Sequence, residues 1–534
     1  MLDRGHSLRL DSLAFLRELA SHGFGLASRS AGKITGLGVK LTSLQSGDPA
    51  LAQDISKGKF SFAGSCLSGL PPKLFELAPP NPEWLGALQG LNWLNHFVAG
   101  GQELQRIVAR MLVEKWDRQN IRNFDSNVQS TALISLSIAA HFLVGTSATF
   151  KAPFLAIVER HIRRVSSLKP SSAGDRLLQA ISLQYASLAF RTPATLRDEA
   201  NAKFCHVIGE VILPDGGHVS RNPLQLLETL LNIVPIRDAM LAHHQAVPRP
   251  LSAAIERMVP MLRMLCHGDH DLGNFQGSGA ARVNMVKSIF ERDRVYGRPL
   301  LLAPHSGYCR LAHRSGLLIV DVGVPAICTS SLALEFSDGQ HRIFSNCGMP
   351  PAASTAWQNA ASSIAAHNTL EVDGFSFRTK NVPKAEVINS PRGSLARCQN
   401  QMSGKAGKIT HERSLFLSHD GRDLRGEDKL STAEHGFTIR FHLHPAVKVT
   451  SIRNGSKMVL ILPNRAAWTF SSRGGIVSLE ESIFLGDANG PRKSQQIVIR
   501  SSAENLSPVI WALRRMEKSI AAEAGQEVAP QLPF

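Results

Sequence analysis

The hydrophobic period of this chain changes once, and that change limits the fold more than any other feature. Upstream of Gly297-Arg298-Pro299 apolar residues recur at three and four; downstream they alternate. The first spacing stacks side chains on one face of a helix, the second on one face of a strand. A single switch predicts a helical region over 51–300 and a sheet region over 301–515, an α+β chain of two domains. Length agrees, because 534 residues exceed what one hydrophobic core organises.

In the first region Trp93, Phe97, Leu104, Ile107, Val108, Met111 and Leu112 repeat at three and four, a helical pattern. Ala132 to Val144 is nearly all apolar, as an inner helix would be. Arg176 to Phe190 and Phe204 to Leu213 follow. Asn222-Pro223 reads as a helix start: Asn is a good cap, Pro suits the first helical position, and Gln225 completes a capping box. Leu251, Ile255, Met258, Leu262 and Leu265 share a further helix face. Serial amphipathic helices without a strict repeat predict a helical toroid. Ahead of them, Asp11-Ser12 predicts a short capped helix and 28–50 a Gly/Ser-rich linker, within an extension over 1–50. KFSFAG at 59–64 reads as a strand, and the five prolines of 70–84 as a loop.

Past Pro299, YCRLAHRSGLLIVDVG, LALEFSDGQHRIF, RSLFLSHDGRDLRGEDKL, FTIRFHLHP, MVLILP, WTFSSRGGIVSLEES and QQIVIRS are strand-like, several parted by Gly or Asp-Gly turns. That spacing predicts an antiparallel β-sandwich. Leu332, Leu334 and Phe336 alternate with small or polar neighbours, the mark of a half-buried strand. Residues 516–534 read as a flexible tail.

Fifty-nine basic against 43 acidic residues give a net charge of +16. The excess favours an anionic partner, although the basic residues are scattered and also fit general basicity. There is no basic-aromatic stripe, so nucleic acid is not expected. Seven cysteines without a CxxC form no disulfide framework and suit a reducing compartment. No 18-residue apolar run stands out as a transmembrane segment, and the N-terminus lacks a signal-peptide pattern, so a cytoplasmic location is expected.

GGHVSRNP at 216–223, PHSGYCRL at 304–311, LALEFSDGQHRIFSNCG at 332–348 and AAHNTLEVDG at 365–374 together resemble the heparinase II/III family of polysaccharide lyases and their bacterial relatives. The resemblance spans roughly residues 45–515. It implies an (α/α) toroid followed by the sandwich, β-elimination on an acidic, uronate-containing glycan, and often a zinc ion in the sandwich. Many such lyases are exported, which implies a cell-envelope location instead.

Elimination needs a donor to neutralise the uronate carboxylate, a base for the C5 proton and an acid for the leaving oxygen. Matched to the family's motifs, the catalytic candidates are His218, His305, Tyr308 and His367. Arg176, Arg221, Asn222 and Asn368 are the substrate-binding candidates. Where the family carries a Tyr two residues past the Pro, this chain has Gln225. Where it carries Asn-His near 175, this chain has Asp175-Arg176. Its first metal-ligand segment reads Ile327-Cys328-Thr329-Ser330, leaving His367 and Cys328 for zinc. Asn222 and Gln225 also serve as caps, and Tyr308 as packing. His442 and His444, on one face of a strand, read as surface or edge residues. These losses leave a second expectation open, a glycan-binding or scaffolding protein on the same fold.

Overall fold

The computed structural model describes residues 33–516 apart from 46, 120–123, 281–282, 293–296, 351–354, 378–382, 433, 453–456, 488 and 504–506. The helix expected at Asp11-Ser12 and the tail beyond Met516 lie outside the described residues. Helices run α1 (Pro49–Ser56), α2 (Pro82–Gln89), α3 (Leu94–Gly100), α4 (Glu103–Asp117), α5 (Ser126–Val144), α6 (Ala148–Ser167), α7 (Ala173–Ala189), α8 (Ala194–Val211), α9 (Pro223–Ala242), α10 (Arg249–Leu265) and α11 (Val283–Arg292). A hairpin, β1 (Lys59–Phe62) with β2 (Ser65–Ser68), interrupts them.

Burial divides the longer helices into two layers. α5, α7 and α9 are buried on nearly every side, whereas α6, α8 and α10 bury one stripe each. This inner–outer alternation is the toroid, and the sequence encodes it. Ala132 to Val144 carries no charge, while α10 alternates Leu251, Ile255, Met258 and Leu262 with Arg and Glu. Asn222 starts α9 by accepting from Leu224 N at 2.8 Å and Gln225 N at 3.3 Å. Its own N–H donates to Ser220 Oγ at 3.2 Å, so Ser220 does what the Gln225 side chain would do in a capping box.

The expected linker is packed from Lys33 onward. Gly38 N donates to Ala189 O at 2.7 Å and Val39 N to Leu188 O at 2.8 Å, with Ile34 and Leu41 buried. A Cβ on Gly38 would sit 2.3 Å from Leu188 O, so this glycine permits close approach rather than flexibility. Within the proline-rich stretch, Pro71–Glu76 forms a 3₁₀ turn, and Asn81 caps α2, which contains Trp84.

The second region is antiparallel throughout. One sheet has the order β3 (Leu302–Ala303), β4 (Tyr308–His313), β5 (Gly316–Asp321), β6 (Leu334–Asp338) and β7 (His341–Phe344). After it come α12 (Thr355–Ser362), β8 (Leu370–Glu371), β9 (Phe375–Ser376), β10 (Lys384–Ser390), β11 (Gly393–Gly404), β12 (Gly407–Ser418) and β13 (Asp423–Leu430). The remaining strands are β14 (Phe437–His442), β15 (Lys448–Ile452), β16 (Lys457–Ile461), β17 (Ala467–Arg473), β18 (Ile476–Phe484), β19 (Arg492–Ser501) and β20 (Val509–Arg515). The largest sheet runs β10-β11-β12-β13-β20-β17-β16-β15, with β9 on β11, and a third runs β18-β19-β14-β8.

The first sheet joins the two regions. Along β5, Leu317 and Ile319 enter the helical core while Leu318 and Val320 enter the sandwich core. β6 is buried at all five positions, Glu335 and Ser337 included, rather than on one face as its alternation predicts. The reason is the helical region packed on its second face. His267, after α10, meets Glu335 through Nε2 at 2.9 Å and Ser337 through Nδ1 at 2.9 Å. Glu335 also accepts from Asn346 N at 2.8 Å and Asn274 N at 3.2 Å. Burial holds His267 below its ordinary pKa, and it packs there as a neutral donor to the carboxylate.

Candidate functional site

A cleft of about 540 Å³ opens where the inner helices begin. Asn127 comes from the first turn of α5, Ser172 to Asp175 from the start of α7, and Gln225 and Glu228 from the start of α9. His218 and Ser220 line it from the loop before α9, and Ile327 from the sheet region. Residues from the starts of three helices thus line one space, two of those starts being capped by Ser172 and Asn222.

His218 has its tautomer set by neighbours. Ser220 N donates to its Nδ1 at 3.1 Å, and Ser220 Oγ lies 2.7 Å from the same atom. Nδ1 is therefore the acceptor and the proton sits on Nε2. Burial lowers its pKa to about 4, so the ring is neutral at pH 7. His218 offers the cleft an N–H donor rather than a base.

Glu228 is the group the sequence reading missed. It lies three residues past Gln225 and four before Asn232, on one face of α9, and all three line the cleft. Its side chain is open to the cleft, yet surrounding protein desolvates the carboxyl and lifts it to about 7. A carboxyl poised there both accepts and returns a proton near neutrality. Helical spacing from the Asn222 cap was the available signal; the desolvation was not visible.

Of the expected residues, His218 lines the cleft, and Asn222 supports it as the α9 cap. The others are elsewhere. Arg221 is buried with φ of 61° and is spent on structure. Its Nε donates to Ser306 O at 2.7 Å and its Nη2 to Gly307 O at 3.0 Å; it also reaches Val324 O and the Asp321 carboxylate. Gly323 permits this, since a Cβ there would fall 2.3 Å from the guanidinium carbon. Tyr308 is fully buried, donates its hydroxyl to Arg221 O, and burial pushes its pKa well above 10, which rules it out as a base. His305 is exposed outside the cleft lining, and its backbone N–H donates to Asp215 at 2.8 Å. Arg176 lies beside Glu210 at 4.0 Å and does not line the cleft.

The His367-Asn368 pair is sealed inside the sandwich. His367 Nδ1 donates to Ser363 O at 2.8 Å, and burial lowers its pKa. Asn368 donates to Leu334 O at 2.9 Å and accepts from His442 N at 2.5 Å. His442, expected at the surface, is buried, with Nε2 donating to Ala365 O at 2.9 Å. Nor do these residues make a zinc site: among the described residues no group of three His, Cys, Asp or Glu could hold a metal, so His367 and Cys328 lack a third ligand. All seven cysteines are free thiols.

A helical toroid whose inner helix ends meet a β-sandwich defines the class: this is the fold of the toroid-and-sandwich polysaccharide lyases. Residues 296–523 match the heparinase II/III-like C-terminal family, and the chain carries that domain. Its fold resembles heparinase III with a TM-score of 0.72 at 13% identity, covering 96% of this chain and 92% of that one. It resembles the heparan sulfate lyase of Pedobacter heparinus with a TM-score of 0.59 at 12% identity, covering 88% and 83%. A curated relative, FtsZ-localized protein C of Caulobacter vibrioides, is 27% identical over 516 residues, 88% of each chain.

Proposed function

We propose that this protein is a polysaccharide lyase that cleaves an acidic glycan by β-elimination in the α5–α7–α9 cleft. The observation that carries the reading is that His218, with Nδ1 held as an acceptor and Nε2–H free to donate, and the Glu228 carboxyl line one cleft. His218 Nε2–H, with the amides of Asn127 and Asn232, hydrogen-bonds the uronate carboxylate and makes the C5 proton more acidic. Ionised Glu228 takes that proton. The C4–O bond breaks as the C4–C5 double bond forms, and protonated Glu228 returns the proton to the leaving oxygen. Glu228 thereby fills the role that Gln225, in the family's Tyr position, cannot. The test is a panel of uronate polysaccharides incubated with the protein and with Glu228→Gln. The wild-type chain should release a product absorbing in the ultraviolet, and the variant should not. No product from any polysaccharide would sink the reading.

A second reading has its own support. Arg221, Tyr308, His367 and Asn368 are all internal, and the curated relative is named for localisation with FtsZ. On that reading the fold serves as a scaffold that assembles with FtsZ. Co-sedimentation with FtsZ polymers, unaffected by Glu228→Gln, would favour it; absence from the pellet would oppose it.

A further inference from the structure

We propose that the outer face of α4 is a docking surface for the chain's own residues 11–20. α4 carries apolar side chains on two faces. Ala109, Leu112, Val113 and Trp116 are buried against the toroid, with Trp116 Nε1 donating to Gln89 O at 3.0 Å. A second stripe, Leu104, Ile107, Val108 and Met111, follows at i, i+3, i+4 and i+7. The described residues leave it largely open: Leu104 is 70% exposed and Ile107 55%, while Val108 and Met111 are half-buried. Leu70, 66% exposed, precedes the 3₁₀ turn Pro71–Glu76 that packs on α4. Leucine and isoleucine grouped in this way on a helix surface mark a contact site rather than ordinary surface.

The occupant is indicated by where the chain enters. The described residues begin at Lys33, and Gly38 O lies 3.2 Å from His141 Nε2. His141 stands in the last turn of α5, and the next three residues hold α4. The Phe142 ring lies 5.3 Å from the Arg106 guanidinium, Leu143 O accepts from Arg110 Nε at 2.6 Å, and Val144 O accepts from Arg110 Nη2 at 2.9 Å. The chain ahead of Lys33 therefore arrives beside the helix turn that anchors α4. Residues 1–32 are outside the described ones; their sequence carries Leu13, Leu16, Leu19 and Ala20 at helical spacing, with Arg17 and Glu18 between. Leu13 to Ala20 covers the same two turns as Leu104 to Met111, so the stripes match in length. The 13 residues from Ala20 to Gly32 reach about 40 Å when extended, against about 22 Å for the whole of α4. A tether also suits the size of the stripe. A free partner needs about 800 Å² per side, more than two exposed side chains and their half-buried neighbours offer. A tethered segment meets the face at an effective concentration on the order of millimolar, where so small a contact suffices.

The test is thiol labelling of the full chain. Ile107→Cys and, as a reference, Ile476→Cys are made alongside Cys66→Ser, which removes the exposed native thiol; both isoleucines are surface residues, so the core is untouched. With the segment docked, a maleimide should label the Ile107→Cys thiol at least about tenfold more slowly than the Ile476→Cys thiol. Adding Leu13→Asp and Leu16→Asp should restore the fast rate. Leu16→Cys paired with Ile107→Cys should oxidise to a disulfide within one chain, seen as a monomer of altered mobility on a non-reducing gel. Equal labelling of the two reference thiols overturns the proposal, as does protection that survives Leu13→Asp and Leu16→Asp. Protection lost on dilution, with a disulfide between chains, also overturns it and assigns the face to a second copy.

Discussion

Glu228 and Arg221 show how the same physics yields opposite roles. Both are ionisable side chains near the start of α9, Arg221 enclosed by protein and Glu228 open to the cleft. Arg221 has a carboxylate and three carbonyls around it and stays charged. Glu228 has no such partner, and desolvation lifts it to about 7. Glu228→Gln should lower elimination by about 10² to 10⁴, the usual worth of one positioned proton-transfer group, and leave the melting point unchanged or higher. Because the base is the ionised form, the wild-type rate should rise with pH through about 7 and flatten above it. A profile flat between pH 5 and 8 would remove Glu228 from the chemistry. Arg221→Ala should instead act on stability. It strands the Asp321 carboxylate, and breaking one side of a buried pair costs about 3 to 5 kcal/mol, measurable by denaturant unfolding. Neither role was legible from local sequence. Arg221 stands in a loop beside a helix start, as a substrate-binding arginine would, and its partner lies 100 positions along the chain. Glu228 looks like any helix-surface glutamate until the other two inner helices are set around it.

At the scale of elements, much was legible, because the signals are local. Asn222-Pro223 marked the start of α9, and the apolar run of α5 marked an inner helix. What the sequence hid was which helix ends share a space. Asn222→Ala should cost about 1 kcal/mol as a lost N-cap. Since the first turn of α9 carries Gln225 and leads to Glu228, the variant should lose activity beyond its loss of stability, seen as a lower kcat well below the melting point. The strand pattern misled at one place. Glu335 and Ser337 read as the solvent face of β6, but a helical region covers that face, so alternation there separates two cores rather than core from water.

For the whole molecule, buried histidines set the acid limit. Burial lowers His161 and His218 to about 4 and His442 to about 3, from 6.5 when free. Between those values the unfolded chain binds protons that the folded chain does not, so stability must fall as pH falls from about 6.5 toward 4. Melting curves across that range should show a progressive drop; a melting point unchanged from pH 7 to 4.5 would contradict the burial of these rings.

The eleven-residue loop before α9, 212–222, is fastened across the junction near both ends. Asp215 accepts from His305 N at 2.8 Å and Ser306 N at 2.7 Å, and Arg221 returns bonds to Ser306 O and Gly307 O. His218, between them, is thus aimed by a sheet region that contributes no proton donor of its own. The consequence is genealogical. An exchange of sandwich domains between relatives would therefore carry away the backbone partners that hold the loop around His218.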